Sequence, residues 1–238
     1  MPPAGEIEER LSQFASRTKV AHSFGVSRPT LVKWLSAYEI VPASPAVIIA
    51  ANEAKVRFAS SSNRVRFAQW LIDEGSVSVD YQAKVDSTYL VLRGTMIDYE
   101  ALRAIAVIVG SNIQPSLKTF PAHLPMHYLR VYGAKAYAFL EAVFDELNGL
   151  KYDEARAALA FFPRAGSVSG RHTTDEFMLG AWETYANASV TAWNQNRLHK
   201  LPPDQIAHMA REWVEYRIRK SRRYVDYKAT YALDKKEV

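Results

Sequence analysis

Residues 67–72 form an apolar run, Phe67-Ala68-Gln69-Trp70-Leu71-Ile72, that ends abruptly in Asp73-Glu74 and then Gly75-Ser76. The spacing predicts a buried helix with two carboxylates in its last turn and a glycine that stops it. The macrodipole is negative at that end, so two acids there work against helix stability. They suit a cation instead, because helix-end carbonyls and carboxylates together offer hard oxygen ligands. Taken alone, the stretch reads equally well as a core helix with a solvated acidic end.

The neighbouring segments must position these acids. Residues 76–84 alternate, with Val77, Val79, Tyr81 and Ala83 on one face and Ser78, Asp80, Gln82 and Lys84 on the other. This is the pattern of a half-buried strand. Residues 89–97 read as its partner, reached through the polar turn Asp86-Ser87-Thr88. Residues 99–109 are apolar at helical spacing and closed by Gly110. A second strand pair is expected over 112–118 and 126–132, with a proline-bearing loop between. Gly133 then opens a helix over 134–147, and residues 151–162 make one more, ended by Pro163.

The 67–76 stretch resembles the motif of the LAGLIDADG homing endonucleases, in a form that ends in Asp-Glu-Gly-Ser. The order helix, hairpin, helix, hairpin, helix, helix is also that of a LAGLIDADG domain. Residues 148–155, Asn-Gly-Leu-Lys-Tyr-Asp-Glu-Ala, look like the start of the family's closing helix. The resemblance covers about residues 63–197. It implies an α+β fold, an αββαββα saddle, in which the motif helix packs against a copy of itself across a two-fold axis. One motif per chain then means a homodimer, with Phe67, Ala68, Gln69, Leu71 and Ile72 at the interface and the two Glu74 carboxylates close together. Like charges that near repel unless divalent cations and DNA phosphates lie between them.

The activity this resemblance implies is hydrolysis of phosphodiester bonds in double-stranded DNA by metal-activated water. Glu74 is then the metal ligand, Glu74 and Lys151 are the catalytic residues, and magnesium is the cofactor, with manganese as a substitute. The target is expected to be sequence-specific and pseudo-palindromic. The polar strand faces would read bases in the major groove: Ser78, Asp80, Gln82 and Lys84; Arg93 and Thr95; Gln114, Ser116 and Lys118; Tyr128 and Arg130. Arginine and lysine suit guanine, and glutamine suits adenine. The alternative is a sheet face that simply meets water.

Some positions depart from the family pattern. The third motif position usually holds a small residue; here it is Gln69, which if buried would need a partner such as its symmetry mate. Met96, Glu100 and Asp153 stand where the family tends to line the metal pocket with basic and polar groups. These departures favour a second reading, a non-cleaving DNA-binding transcriptional regulator that retains the fold.

Residues 19–35 carry a separate DNA-binding signal. A helix, a turn with Gly25 and a second helix beginning after Ser27 resemble a helix-turn-helix, whose second helix enters the major groove. Ser27 is a natural cap, and Pro29 is tolerated in the first turn. Ala21, Val26, Leu31 and Trp34 would form the small core, leaving Arg28, Thr30 and Lys33 to face DNA. The alternative is a helical hairpin used for packing.

Composition sets the outer limits. A net charge of +5 and a pI near 9.3 fit a polyanionic partner. Hydrophobic content of 48% supports a real core and excludes wholesale disorder. With no cysteine, disulfides and thiolate zinc sites are excluded. The six histidines show no metal-ligand spacing. No run approaches 18 apolar residues and no apolar leader opens the chain. The protein is therefore expected to be intracellular, in cytoplasm or nucleoid, with no membrane partner.

Four segments are expected: a helix-turn-helix domain at 1–45, a connecting helix at 46–62, the LAGLIDADG-like domain at 63–197, and a basic C-terminal helical extension at 198–238. The hinge falls at Val41-Pro42-Ala43-Ser44-Pro45. Residues 216–228 carry six basic residues among three tyrosines. They read either as a grip on phosphates or as a solvated helix docked through Trp213, Tyr216 and Tyr224.

Overall fold

Three short helices open the chain. In the computed structural model, which describes residues 1–14, 16–40, 42–115, 126–162, 165–169, 175–195 and 197–220, they are α1 (Ala4–Gln13), α2 (Arg17–Ser23) and α3 (Arg28–Ala37). Gly25 makes the turn between α2 and α3 at φ 66°, in the left-handed region where side chains are strained. Ser27 caps α3 by accepting from the Thr30 amide at 3.3 Å. The small core holds Ala21 and Leu31 as expected, but Val26 and Trp34 sit at its edge. Ile7, Leu11, Val20 and Leu35 complete it. The first two come from α1, which the motif reading left out; two helices alone cannot enclose so small a core.

Helix α4 (Pro45–Arg57) begins where a hinge was expected. Ser44 caps it through the Val47 amide at 3.2 Å, and Pro45 takes the first turn, where no amide is needed. Val41 lies outside the described residues. Val47, Ala50, Ala54 and Phe58 are buried in the larger core, so this helix belongs to the body rather than serving as a connector.

The anticipated order then follows: α5 (Ser61–Asp73), β1 (Gly75–Gln82), β2 (Ser87–Met96), α6 (Tyr99–Val109), β3 (Gln114–Pro115), β4 (His127–Tyr132), α7 (Gly133–Ala142) and α8 (Gly149–Phe161). The helix expected over 134–147 stops at Ala142, and a 3-10 turn takes Phe144–Glu146. The first strand ends at Gln82, so Lys84 falls in a 3-10 turn. Residues 116–125, among them Ser116 and Lys118 of the strand expected over 112–118, lie outside the described residues. Three further elements close the described chain: β5 (Ser167–Ser169), α9 (Asp175–Gln195) and α10 (Pro203–Lys220). The fold is α+β.

The sheet is antiparallel in the order β1-β2-β4-β3. Strands β4 and β5 share one edge of β2 end to end: β4 pairs with residues 91–96 and β5 with 87–89. Val77, Val79, Leu90, Leu92, Leu129 and Val131 face inward and are buried beneath α5, α6 and α7. Helices α8, α9 and α10 extend this core beside β1. Trp182 of α9 is buried there and donates to the Thr88 hydroxyl at 3.4 Å. Helix α10 docks through Ala210, Val214 and Ile218, with Trp213 half-buried. Tyr216 is 55% exposed, so it does not share in the docking expected of it. Tyr224 lies outside the described residues. No helix among them is long and apolar enough to cross a membrane.

The C-terminal end of α5 meets the sheet with almost no clearance. A Cβ on Gly94 of β2 would lie 2.6 Å from the Trp70 ring, and one on Gly75 would lie 2.7 Å from the Leu71 Cα. Gly75 is therefore required by space. It does not show the positive φ of a glycine stop.

Candidate nucleic-acid interface

Glu74 occupies the C-cap of α5, between the helix and β1, and is exposed. Among the described residues its carboxylate has no hydrogen-bond or ion-pair partner. Its neighbour Asp73 is committed: Gln69 Nε2 donates to both of its oxygens, at 2.8 and 2.9 Å. Gln69 is thus exposed and satisfied within its own helix, and needs no symmetry mate. The two acids are distinguished by their partners: Asp73 accepts from Gln69, and Glu74 accepts from no described residue.

The sheet's outward face begins beside Glu74. Gly75 pairs with Gly94, so Thr95 comes next on β2, opposite Tyr128 of β4, which in turn faces Gln114 of β3. One step along, Ser76, Arg93 and Arg130 stand side by side across three strands. The following row is Ser78, Val91 and Tyr132, and beyond it Asp80 faces Tyr89. Strand alternation puts these side chains on one surface.

Arginine and tyrosine dominate this face. The Arg130 guanidinium lies 4.7 Å over the Tyr128 ring. Its hydrogen bond to the Tyr132 hydroxyl holds it more firmly protonated than usual, despite partial burial. Burial, and then the charge of Asp80, push the Tyr89 hydroxyl up from its ordinary value. Tyr89 and Tyr132 approach ring to ring at 6.2 Å, flanking Val91. Asp80 lies 3.8 Å from Arg93 on this face. Gln82, Lys84, Thr95 and Gln114 are exposed, and Ser78 is half-buried with its Oγ unpartnered. Tyr89 and Tyr132 were missed in the sequence, although both have the parity of residues that were named.

A further cation comes from α10. Arg217 donates to the Val79 carbonyl on the edge of β1 and stacks over Trp213 at 4.6 Å. Burial lowers its pKa, while Asp80 opposes that shift. The adjacent Tyr185 is buried, which pushes its hydroxyl up to about 12. Arg217 therefore anchors the basic helix to the strand, and is not a free phosphate grip.

In the N-terminal unit, Arg28 and Lys33 are exposed on α3. Thr30 is half-buried and its hydroxyl lies 2.9 Å from that of Ser27, so it is spent on the cap. Exposed Val32, at 41%, shares the outer face with Lys33.

Two groupings from the sequence change. Phe67, Ala68 and Leu71 are not available to a partner: all three are buried in the chain's own core, where Phe67 packs against Phe58, Trp70 and Phe139. The outward stripe of α5 is Ser62, Val65 and Gln69, with Ile72 half-buried beside it. Lys151 is held by Glu154 at 3.0 Å, with only 14% of its side chain exposed. Glu146, just before α8, pairs with Arg64 at the opposite end of α5 from Glu74, about 15 Å away along the helix. No contact brings Lys151 to Glu74. Among the described residues no group of three or more His, Asp or Glu side chains converges.

No protein-family model matches this chain, and no curated protein matches it significantly.

Proposed function

We propose that the chain is a sequence-specific double-stranded-DNA-binding protein and, as a homodimer, a metal-dependent endonuclease. The observation that carries this reading is the junction of α5 and β1. There Glu74, whose carboxylate has no partner among the described residues, caps α5 two residues before Ser76, and Ser76 pairs into the outward row of Arg93 and Arg130 beside Tyr128 and Tyr132. Arginines suit guanine edges and phosphates, while exposed α3 adds Arg28 and Lys33 to a flanking groove.

One carboxylate per chain is too few for a magnesium site, so the ion would be held by Glu74 from two copies together with DNA phosphates. The pairing surface would be the stripe Ser62, Val65 and Gln69 with Ile72, rather than the buried Phe67 face. The chemistry that such an ion supplies is activation of water toward a phosphodiester. The chain's own part is to hold the duplex on the Arg93–Arg130 row and to leave the helix-end acid uncompensated beside it.

A second reading, the non-cleaving regulator, is favoured by the burial of Phe67, Ala68 and Leu71, which removes the apolar face that the resemblance assigned to pairing. One experiment separates the two. Duplexes bound by the full chain are selected from a random pool, the complexes are sedimented, and the selected DNA is incubated with magnesium. Two copies on an inverted repeat with strand cleavage support the endonuclease. Tight binding without nicking in magnesium or manganese supports the regulator, and failure to select any sequence contradicts both.

A further inference from the structure

Between α9 and α10, residues 197–201 carry one exposed leucine on a local network of hydrogen bonds. Asn194, 6% exposed, uses its side-chain amide on both backbone groups of Leu201: Nδ2 donates to the carbonyl at 3.2 Å, and Oδ1 accepts from the amide at 2.7 Å. The Arg197 amide donates to the Asn194 carbonyl at 3.1 Å. The Arg197 guanidinium stacks 4.4 Å over Trp193, and its Nε donates to the His199 carbonyl at 3.1 Å. On this scaffold Leu198 is 92% exposed, the highest exposure of any large apolar residue described. Arg197, His199 and Lys200 around it are exposed too.

A lone surface leucine ordinarily needs no explanation. This one differs in two respects. Residues 197–201 are tied by a buried asparagine and a stacked arginine, contacts that reduce the ordering to be done on binding. It is also surrounded by cationic and imidazole side chains with no acid in the loop, which argues against an acid-free apolar partner and for a polyanion. An apolar side chain between phosphate-seeking cations is the arrangement that enters a base step from the minor groove, unstacks it and bends the duplex. Arg217 is fixed to β1, and Pro203 lies about 21 Å from it along α10. Residues 197–200 therefore lie well removed from that anchor on β1, and a duplex held at the sheet would meet them at a separate point.

We propose that residues 197–200 form a second DNA contact, with Leu198 as a wedge into a base step and Arg197 and Lys200 on the flanking phosphates. This rests on the DNA-binding reading above and adds a bend to it. The contact recognises deformability of a step rather than base edges, so flexible pyrimidine–purine steps should recur at a fixed distance from the centre of selected sites.

The test uses the full chain and a duplex that it selects from a random pool, carrying a fluorophore at each end. Energy transfer should rise on binding of the wild type as the ends approach. Leu198→Ala should lose most of that rise and weaken binding about tenfold, while Leu198→Phe keeps both. Lys200→Ala should keep the bend and lower the slope of log affinity against log salt by about 1. Because all of these positions are exposed, the variants should match the wild type in circular dichroism. Equal bending and affinity for Leu198→Ala and wild type would overturn the wedge alone. A wild type that selects no duplex would overturn the DNA reading beneath it.

Discussion

Helices α5 and α6 both end with their carbonyls near other parts of the protein, and they are treated in opposite ways. At the end of α6, Arg57 donates to the Val107 and Ile108 carbonyls at 3.1 and 3.4 Å, and Lys135 donates to that of Gly110 at 3.3 Å. Glu53 ties the two cations together, at 2.6 Å from Arg57 and 2.9 Å from Lys135. Positive charge at the negative end of a helix is what stability favours. The end of α5 receives Asp73 and Glu74 instead, with no cation among their contacts in the described residues. One helix end is built to hold the body together, while the other keeps a charge that the fold does not need. Such a charge is expected where a ligand is to be bound.

The largest effect expected from disturbing this contrast is steric. Gly94→Ala puts a methyl group 2.6 Å from the Trp70 ring and 3.0 Å from the Glu74 carbonyl, so the ring or the end of α5 must shift. We expect a loss of about 2–3 kcal/mol in urea unfolding, and weaker DNA binding because Glu74 and the Arg93 row shift together.

Next comes the α6 end. Arg57→Ala removes the charged bonds to Glu53 and to two carbonyls. About 1–2 kcal/mol is expected, after allowance for a pair that is one-third exposed. Burial would raise the Glu53 pKa, but the hydrogen bonds and charges of Lys135 and Arg57 outweigh it and hold the carboxyl below its usual value of 4.5. A depressed folded pKa contributes stability above the unfolded value, which is lost as pH falls through the folded one. The melting temperatures of wild type and Glu53→Gln should therefore differ at pH 7 and converge as the pH falls below 4.5 and through the lowered folded value.

The α5 end should respond with the opposite sign and the smallest size. Glu74→Gln removes a repulsion with the helix dipole, and should stabilise the protein by about 0.3–0.5 kcal/mol at low ionic strength. A destabilised Glu74→Gln would mean that this acid has a structural partner after all.

Much of this contrast could be read from the sequence. The alternation Val77, Val79 against Ser78, Asp80 is local, and the strand has that register because the inner face must be buried. The Ser27 cap and Gly25 turn are equally local. The rotation of α5 was not legible. Val65 and Ile72 are as apolar as Phe67 and Leu71, and the inward face is chosen by Phe58, the C-cap of the preceding helix, together with Phe139 of the distant α7. The partner of Lys151 is one turn away along its own helix, at Glu154, a local i,i+3 pairing that outcompetes the longer reach to Glu74. Helix α9 shows Met178, Trp182, Tyr185 and Ala186 at helical spacing, but its alanine, asparagine and threonine content blurs the polar face.

The outward sheet face offers a test that bears on binding alone. Arg93→Ala and Arg130→Ala should each weaken binding of a selected duplex, and each should relax preference at one base position by about 1–3 kcal/mol if it reads guanine. If both variants instead weaken all sequences equally, the row holds phosphates.

The most direct measurement compares wild type with Glu74→Gln on one selected duplex in magnesium, scoring both bound DNA and cut strands. Cleavage by the wild type, together with undiminished binding and no cleavage by Glu74→Gln, is the result this account predicts. Equal cleavage by both proteins would contradict the role given to Glu74, and tight binding without cleavage by the wild type would leave a DNA-binding regulator in place of an endonuclease.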